Sequence, residues 1–275
     1  MKHRIVSLAP SATSILVALG ARRELVGVSK WCVDVSPEVT ELPRVGDCWA
    51  LDPESVMSLR PTLVIGSVPY KQETVAKLLE HPVAFLAMNP RSLADVESDI
   101  HLLGGIVGRA EAARKVVAQM RAEFQAVRVA ARRARGSGSA KMRVPRVYCE
   151  AWPHPRIVSP PWVAELVEIA GGEMAVPAGK RISDEDVAAA KPDVIVLAWA
   201  AVGEKSDPQQ TYDVAGWSEI PAVRDRRVYV VRDELLNTPG PPLVDGTREL
   251  LRLFYPNLTK ALAGRRNRAE KRKRR

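Results

Sequence analysis

Six short runs in this chain are continuously apolar: Ile5–Ala9, Leu63–Ile65, Val83–Ala87, Val147–Cys149, Val194–Leu197 and Val228–Val231. A further run at Leu25–Val28 is shorter and more mixed. Unbroken β-branched runs of this length predict strands buried on both faces. The stretches between them carry apolar residues at helical spacing, predicting helices over Ser11–Leu19, Gln72–Leu79, Leu93–Val107, Trp162–Ile169 and Val244–Phe254. Strands that alternate with helices predict parallel sheets with right-handed crossovers, an α/β architecture.

One part of this pattern occurs twice. Leu51–Val68 realigns without a gap on Ile182–Trp199, 131 positions later. Each copy starts with a helix-start signal, Asp52-Pro53-Glu54 or Ser183-Asp184-Glu185-Asp186. Asp or Ser at the cap accepts a free backbone N–H, and acids suit the positive helix end. Each helix is stopped by a basic residue and proline, Arg60-Pro61 or Lys191-Pro192, and an apolar strand follows. A unit used twice predicts two similar α/β lobes with a ligand cleft between them.

The longest helical pattern runs from Arg109 to about Arg135, with Val116, Met120, Phe124 and Val127 forming one stripe. At 1.5 Å per residue it makes a rod of about 40 Å, expected to bridge the lobes, and the Gly136-Ser137-Gly138-Ser139 stretch ends it. The expected divisions are an N-terminal lobe (1–108), a bridging helix and loop (109–138), a C-terminal lobe (139–258) and a basic tail (259–275).

Charge changes this picture little. The net charge of +9 sits almost wholly in Lys260–Arg275, which holds nine Lys/Arg and one Glu, so the remaining chain is near neutral. That argues against a nucleic-acid groove on the folded part and predicts a disordered, solubilising tail. Three cysteines do not make a disulfide framework, although Cys32 and Cys48, both in loops of the first lobe, leave one bridge open. No apolar run reaches the ~20 residues of a membrane span. Lys2-His3-Arg4 precedes an apolar run, but Pro10 interrupts it, so strand and turn are expected in place of a signal peptide. A cytoplasmic location follows from that reading, with an extracytoplasmic one if the start lies upstream.

Chemistry is sought where the strands end, because parallel sheets bind ligands beyond their carboxyl ends. Those positions carry Ser11, Lys30, Trp31, Trp49, Tyr70, Glu150, Trp152, His154, Trp199 and Asn237. Four of the six tryptophans fall here, which suits a large, flat, amphipathic ligand. The four histidines are scattered, so no metal-ion site is expected, although His154 is placed to offer an axial nitrogen to a bound metal complex. The chain carries no G-x-S-x-G elbow, P-loop or dinucleotide glycine fingerprint, and no enzyme is expected.

The segments Arg4–Thr13, Leu25–Ser29, Arg60–Ile65, Trp162–Val167, Ala170-Gly171-Gly172, Lys191–Val196 and Pro221-Ala222-Val223 match in order and spacing a known pattern. Over about residues 4–256 the chain resembles the iron-complex/cobalamin substrate-binding proteins of ABC importers. Glu150-Ala151-Trp152-Pro153, Cys32 and Pro239–Gly246 are similar to the cobalamin-binding subgroup. The tryptophans that line the cleft in the best-known cobalamin importer have no counterpart here; on the resemblance, Ser67, Ala87 and Gly179 take their places.

The resemblance implies two Rossmann-like lobes joined by one rigid helix, and docking on a permease through one exposed glutamate per lobe. Glu73 and Glu185 stand at the matching positions. The expected ligand is a cobalamin-type corrinoid, walled by Trp31, Trp49, Tyr70, Trp152 and Trp199, with Ser11, His154 and Asn237 as polar contacts. A ferric siderophore or haem, met by Lys30, Arg91, Lys180 and Lys205, is the alternative, as is a cytoplasmic corrinoid-handling or sensing protein with no permease. The expected protein is a monomer that needs no catalytic cofactor.

Overall fold

The computed structural model describes residues 3–136, 143–200 and 207–256. The Ser137–Ser139 part of the predicted loop, Lys205 and the basic tail lie outside the described residues. Two compact units are present: residues 1–121 with 238–243, and residues 122–237 with 244–275.

In the first unit the chain runs β1 (Ile5–Ser7), α1 (Pro10–Ala18), β2 (Leu25–Ser29), α2 (Cys32–Val35), β3 (Arg44–Val45), α3 (Pro53–Ser58), β4 (Leu63–Ser67), α4 (Gln72–Leu79), β5 (Phe85–Met88) and α5 (Leu93–Ile106). The sheet is wholly parallel, in the order β3-β2-β1-β4-β5. The chain therefore winds outward from β1 in one direction, then crosses to β4 on its other side. This reversal makes a switch point where the loops after β1 and β4 part. All residues of β1 and β4 are buried, as strands covered by helices on both faces must be.

The long helix that follows α5 in the chain is α6 (Ala110–Gly136), and the second unit then runs β6 (Arg146–Pro153), β7 (Arg156–Val158), α7 (Pro161–Ile169), β8 (Glu173–Met174), α8 (Asp184–Ala190), β9 (Val194–Leu197), α9 (Gln209–Tyr212), α10 (Pro221–Arg224), β10 (Val228–Val230), α11 (Glu234–Asn237) and α12 (Leu243–Phe254). Its sheet has the order β10-β9-β6-β7. Strand β6 shares one edge between two partners: parallel β8 along Arg146 and Val147, and antiparallel β7 along Glu150–Pro153. The β6–β7 hairpin, which turns at His154-Pro155, departs from the all-parallel expectation. Arg156, Ile157 and Val158 include two β formers but are too few to announce a strand.

The duplicated segment folds alike in both units. Asp52 accepts from the backbone N–H of Glu54 and Ser55, while Ser183 accepts from Asp186 N at 3.1 Å in a reciprocal capping box. Arg60 and Lys191, equivalent in the repeat, both take φ +46°, a left-handed stop that precedes the proline. The strands that follow, β4 and β9, each pair in parallel with the first strand of their own sheet, β1 and β6.

The boundary between the units falls inside helix α6. Its buried face is Ala113, Val117, Met120, Phe124, Val127, Ala131 and Ala134, a strict alternation of four and three. Val117, not the predicted Val116, lies on this face, because spacing of three from Met120 continues the alternation. Gly104 of α5 admits the helix closely: a Cβ there would lie 2.5 Å from that of Ala113.

Candidate functional site

Parallel pairing in the first unit brings the loops after all five strands to one edge of the sheet. Trp31 follows β2, Trp49 follows β3, and Tyr70 follows β4. Trp31 is half-buried and its indole Nε1 donates to Asp47 Oδ2 at 2.9 Å, with Lys30 Nζ 4.3 Å over its ring. Asp47 Oδ1 accepts from the backbone N–H of Trp49 at 2.9 Å and of Ala50 at 3.0 Å. Trp49 itself is 57% exposed, the most exposed large apolar side chain among the described residues.

Tyr70 is turned inward. Its hydroxyl lies 2.6 Å from Met88 O and 3.1 Å from Gly66 O, and burial, with Cys48 and Asp99 nearby, pushes its phenol up. Ser11 is 97% buried in the first turn of α1 by its 3% exposure, below a polar cluster in which Thr13 Oγ1 donates to Ser7 Oγ at 2.8 Å. Cys32 Sγ joins that cluster, 3.1 Å from Thr13 and 3.2 Å from Ser29. Cys48 instead faces Gly66, and both thiols are free, so the bridge left open by the sequence is not formed. Burial raises both thiols, Cys48 to about 11, which keeps them protonated at neutral pH.

In the second unit the equivalent edge is organised by a carboxylate. Glu150 at the end of β6 is wholly buried, and its Oε2 accepts from Tyr148 at 2.5 Å and from Arg156 Nη1 at 2.8 Å. Its Oε1 accepts from Trp199 Nε1 at 2.7 Å. The other arm of Arg156 binds Asp184, the first residue of α8, and its guanidinium stacks 4.4 Å from the ring centre of Trp217. Burial pulls Arg156 down, but Asp184 and Glu150 together leave it above its ordinary value. Burial and the neighbouring Glu150 push the Tyr148 phenol up. A buried charge must be paired this completely to be tolerated.

Trp199 is therefore 96% covered, at 4% exposure, and belongs to the core cluster around Tyr148 and Trp217. Trp152 is 39% exposed on the β6–β7 hairpin, where its indole donates to His154 O at 2.9 Å, and the His154 side chain is exposed beside it. Asn237 Nδ2 donates to Ala198 O at 2.7 Å, while its buried Oδ1 finds no hydrogen-bond partner among the described residues. The structure thus joins Trp31 and Trp49 in one unit and Trp152 with His154 in the other, where Asn237 bonds the residue before Trp199. Glu73 and Glu185 are exposed in the first turns of α4 and α8. Sequence reasoning missed Asp47, Arg156 and Asp184. A carboxylate between two loop tryptophans was the available signal for Asp47, but no spacing rule marks it.

Among the described residues no group of three or more His, Cys, Asp or Glu could hold a metal ion, and no helix is long and apolar enough to cross a membrane. Aromatic side chains thus stand at the carboxyl edge of the sheet in each of the two α/β units. The chain belongs to the Periplasmic binding protein family, which it matches over residues 5–235. It is 30% identical to the ABC transporter substrate-binding lipoprotein YvrC of Bacillus subtilis (strain 168), covering 94% of this chain and 81% of that protein. It is 26% identical to the vitamin B12-binding protein of Vibrio cholerae (strain M66-2), covering 90% of this chain and 87% of that one. Among solved structures, the periplasmic heme-binding protein RhuT of Roseiflexus sp. RS-1 superposes with a TM-score of 0.78 at 28% identity, covering 94% of this chain and all of that one.

The chain is accordingly a substrate-binding protein of ABC import and not an enzyme. The expectation of a cytoplasmic protein is overturned, since the family is periplasmic and the relatives are periplasmic or lipoproteins. That expectation rested on the interrupted apolar run near the start, and the structure shows only that β1 and α1 occupy this stretch.

Proposed function

We propose that this protein captures a cobalamin-type corrinoid for delivery to an ABC permease. The observation that carries the reading is the 26% identity to a vitamin B12-binding protein over 90% of the chain. The exposed rings of Trp49 and Trp152 support it, since each offers a flat apolar face at a carboxyl edge. Tyr70 and Trp199 as further apolar wall, with Ser11 and Asn237 as polar contacts, complete the reading from buried or half-buried positions at the same strand ends. Binding makes and breaks no covalent bond; ring stacking and burial of apolar area supply the affinity. His154, exposed next to Trp152, is free to offer a nitrogen to the metal of the complex.

Haem is the second reading, favoured by the 28% identity and TM-score of 0.78 to a heme-binding protein. The two ligands separate in one experiment. Cyanocobalamin and haemin are titrated in parallel into the ligand-free protein, following calorimetric heat and the visible spectrum. Saturable cobalamin binding, tighter than that of haemin, is the expected result. Saturation by haemin alone transfers the function to haem, and saturation by neither at tens of micromolar removes both readings.

Delivery assigns Glu73 and Glu185 to the permease. Exposed carboxylates steer and orient a partner more than they hold it. Replacing both with Gln is expected to abolish uptake in cells while leaving the ligand's Kd unchanged; retained uptake would remove the docking role.

A further inference from the structure

Trp31 and Trp49 are the first unit's two tryptophans, and one side chain holds both. Asp47 divides its carboxylate between them: Oδ2 takes the Trp31 indole N–H at 2.9 Å, while Oδ1 takes the Trp49 and Ala50 backbone N–H at 2.9 and 3.0 Å. The loop around it is closed tightly. Asp47 N donates to Ala50 O at 3.0 Å, and a Cβ on Gly46 would fall 2.0 Å from that same oxygen. From the other side, Thr74 Oγ1 of α4 donates to Trp49 O at 2.8 Å, and Lys71 N donates to Cys48 O at 2.9 Å. The Trp49 backbone is thus held at both its N–H and its C=O, yet its ring is 57% exposed. Exposing so large an apolar ring on a fixed loop has no folding benefit, and a preorganised aromatic is what a binding anchor requires.

Trp31 differs. Its ring is half-buried, its indole N–H is taken by Asp47, and the Lys30 ammonium stands 4.3 Å over its face. It serves as the floor on which the loop is fastened, and it brings a cation to the same edge.

We propose that Asp47 is a positioning residue for ligand capture, which fixes the Trp49 ring for stacking against a planar macrocycle by pinning its loop to Trp31. This rests on the reading of Trp49 as a ligand contact. Charge-assisted hydrogen bonds to a carboxylate are the stronger kind, and three of them converge here.

The two oxygens allow the roles to be separated. In Asp47→Asn the amide oxygen still accepts from Trp49 N and Ala50 N, but its NH2 faces the Trp31 indole donor-to-donor. In Asp47→Ala both attachments are lost. The ligand-free 15N-labelled protein reads this directly through the indole signals and the Trp49 and Ala50 amides, assigned with Trp31→Phe and Trp49→Phe. Asp47→Asn is expected to shift only the Trp31 indole signal, and Asp47→Ala to shift that signal and both amides. Cyanocobalamin and haemin affinities are then measured for Asp47→Ala, Asp47→Asn and Trp49→Ala, with thermal melting as the control for folding. The expected loss is at least tenfold for Trp49→Ala and for Asp47→Ala, and smaller for Asp47→Asn, at a Tm within a few degrees of wild type. If Trp49→Ala weakens binding and Asp47→Ala does not, the positioning role is overturned while the ligand reading stands. If Trp49→Ala binds like wild type, the ligand contact itself fails, and the positioning claim with it. If the amides of Trp49 and Ala50 are unmoved in Asp47→Ala, Asp47 does not hold the loop, whatever the ligand.

Discussion

Glu150 is the residue whose removal should damage this protein most. It is 0% exposed and accepts from Tyr148, Trp199 and Arg156. Glu150→Ala leaves the Tyr148 hydroxyl and the Trp199 indole without an acceptor, and each such buried donor costs about 1–3 kcal/mol. Arg156, only 8% exposed, keeps Asp184 as a partner, so its charge is half-compensated and not stranded. A stranded buried charge would cost about 3–5 kcal/mol, but Arg156 stays paired, so the two orphaned donors dominate and we expect a total of about 2–6 kcal/mol, a large part of a typical stability of about 5–15 kcal/mol. Glu150→Gln, which preserves shape and one acceptor oxygen, should cost about 1–3 kcal/mol. The double variant Glu150→Met with Arg156→Met should cost less than Glu150→Ala, because both charges leave together and Asp184 is half-exposed. Urea unfolding followed by tryptophan fluorescence measures these, since the second unit holds Trp152, Trp162, Trp199 and Trp217. A loss below about 1 kcal/mol for Glu150→Ala, or a double variant as unstable as the single one, would refute the view that this pair is a costly but fully compensated hub.

Three further outcomes follow from other parts of the molecule. The Asp99 carboxyl is pushed up to about 6 by burial, with the charge of Asp95 adding, and its buried Oδ2 has no hydrogen-bond partner among the described residues. Its folded pKa lies above its unfolded one, so its contribution is full below about pH 4 and is lost as the pH rises through 6; urea midpoints should show this as about 1–3 kcal/mol, and Asp99→Asn should flatten that slope. Gly104→Ala places a methyl 2.5 Å from Ala113 Cβ, and overpacking there should lower stability by about 1–3 kcal/mol in the same assay; an unchanged midpoint would mean that α5 and α6 separate easily. Trp152→Ala should weaken ligand binding about tenfold without moving Tm, whereas Trp199→Ala, at a core position, should lower Tm as well, and calorimetry with thermal melting distinguishes the two.

Much of the architecture was legible in the chain, for identifiable reasons. Val194–Leu197 and Gln72–Leu79 form the predicted strand and helix without a residue's change, because a buried β-branched run and a 3.6-residue period each admit one backbone form. The repeat announced paired elements through local chemistry alone: caps at Asp52 and Ser183, stops at Arg60 and Lys191. The site was less legible. Trp199 and Trp49 occupy the same kind of position after a strand, yet one is 4% and the other 57% exposed.

What the sequence determined by itself was periodicity, punctuation and the identity of the strand-end residues, since these depend on neighbours a few positions away. Only the tertiary structure decided which strand-end tryptophan is structural and which is displayed. That choice depends on carboxylates that are distant or unmarked in sequence: Glu150, 49 positions from Trp199, and Asp47, 16 positions from Trp31. The same holds for the hairpin at β7, where backbone pairing with β6 recruits a three-residue segment too short to show a strand period of its own.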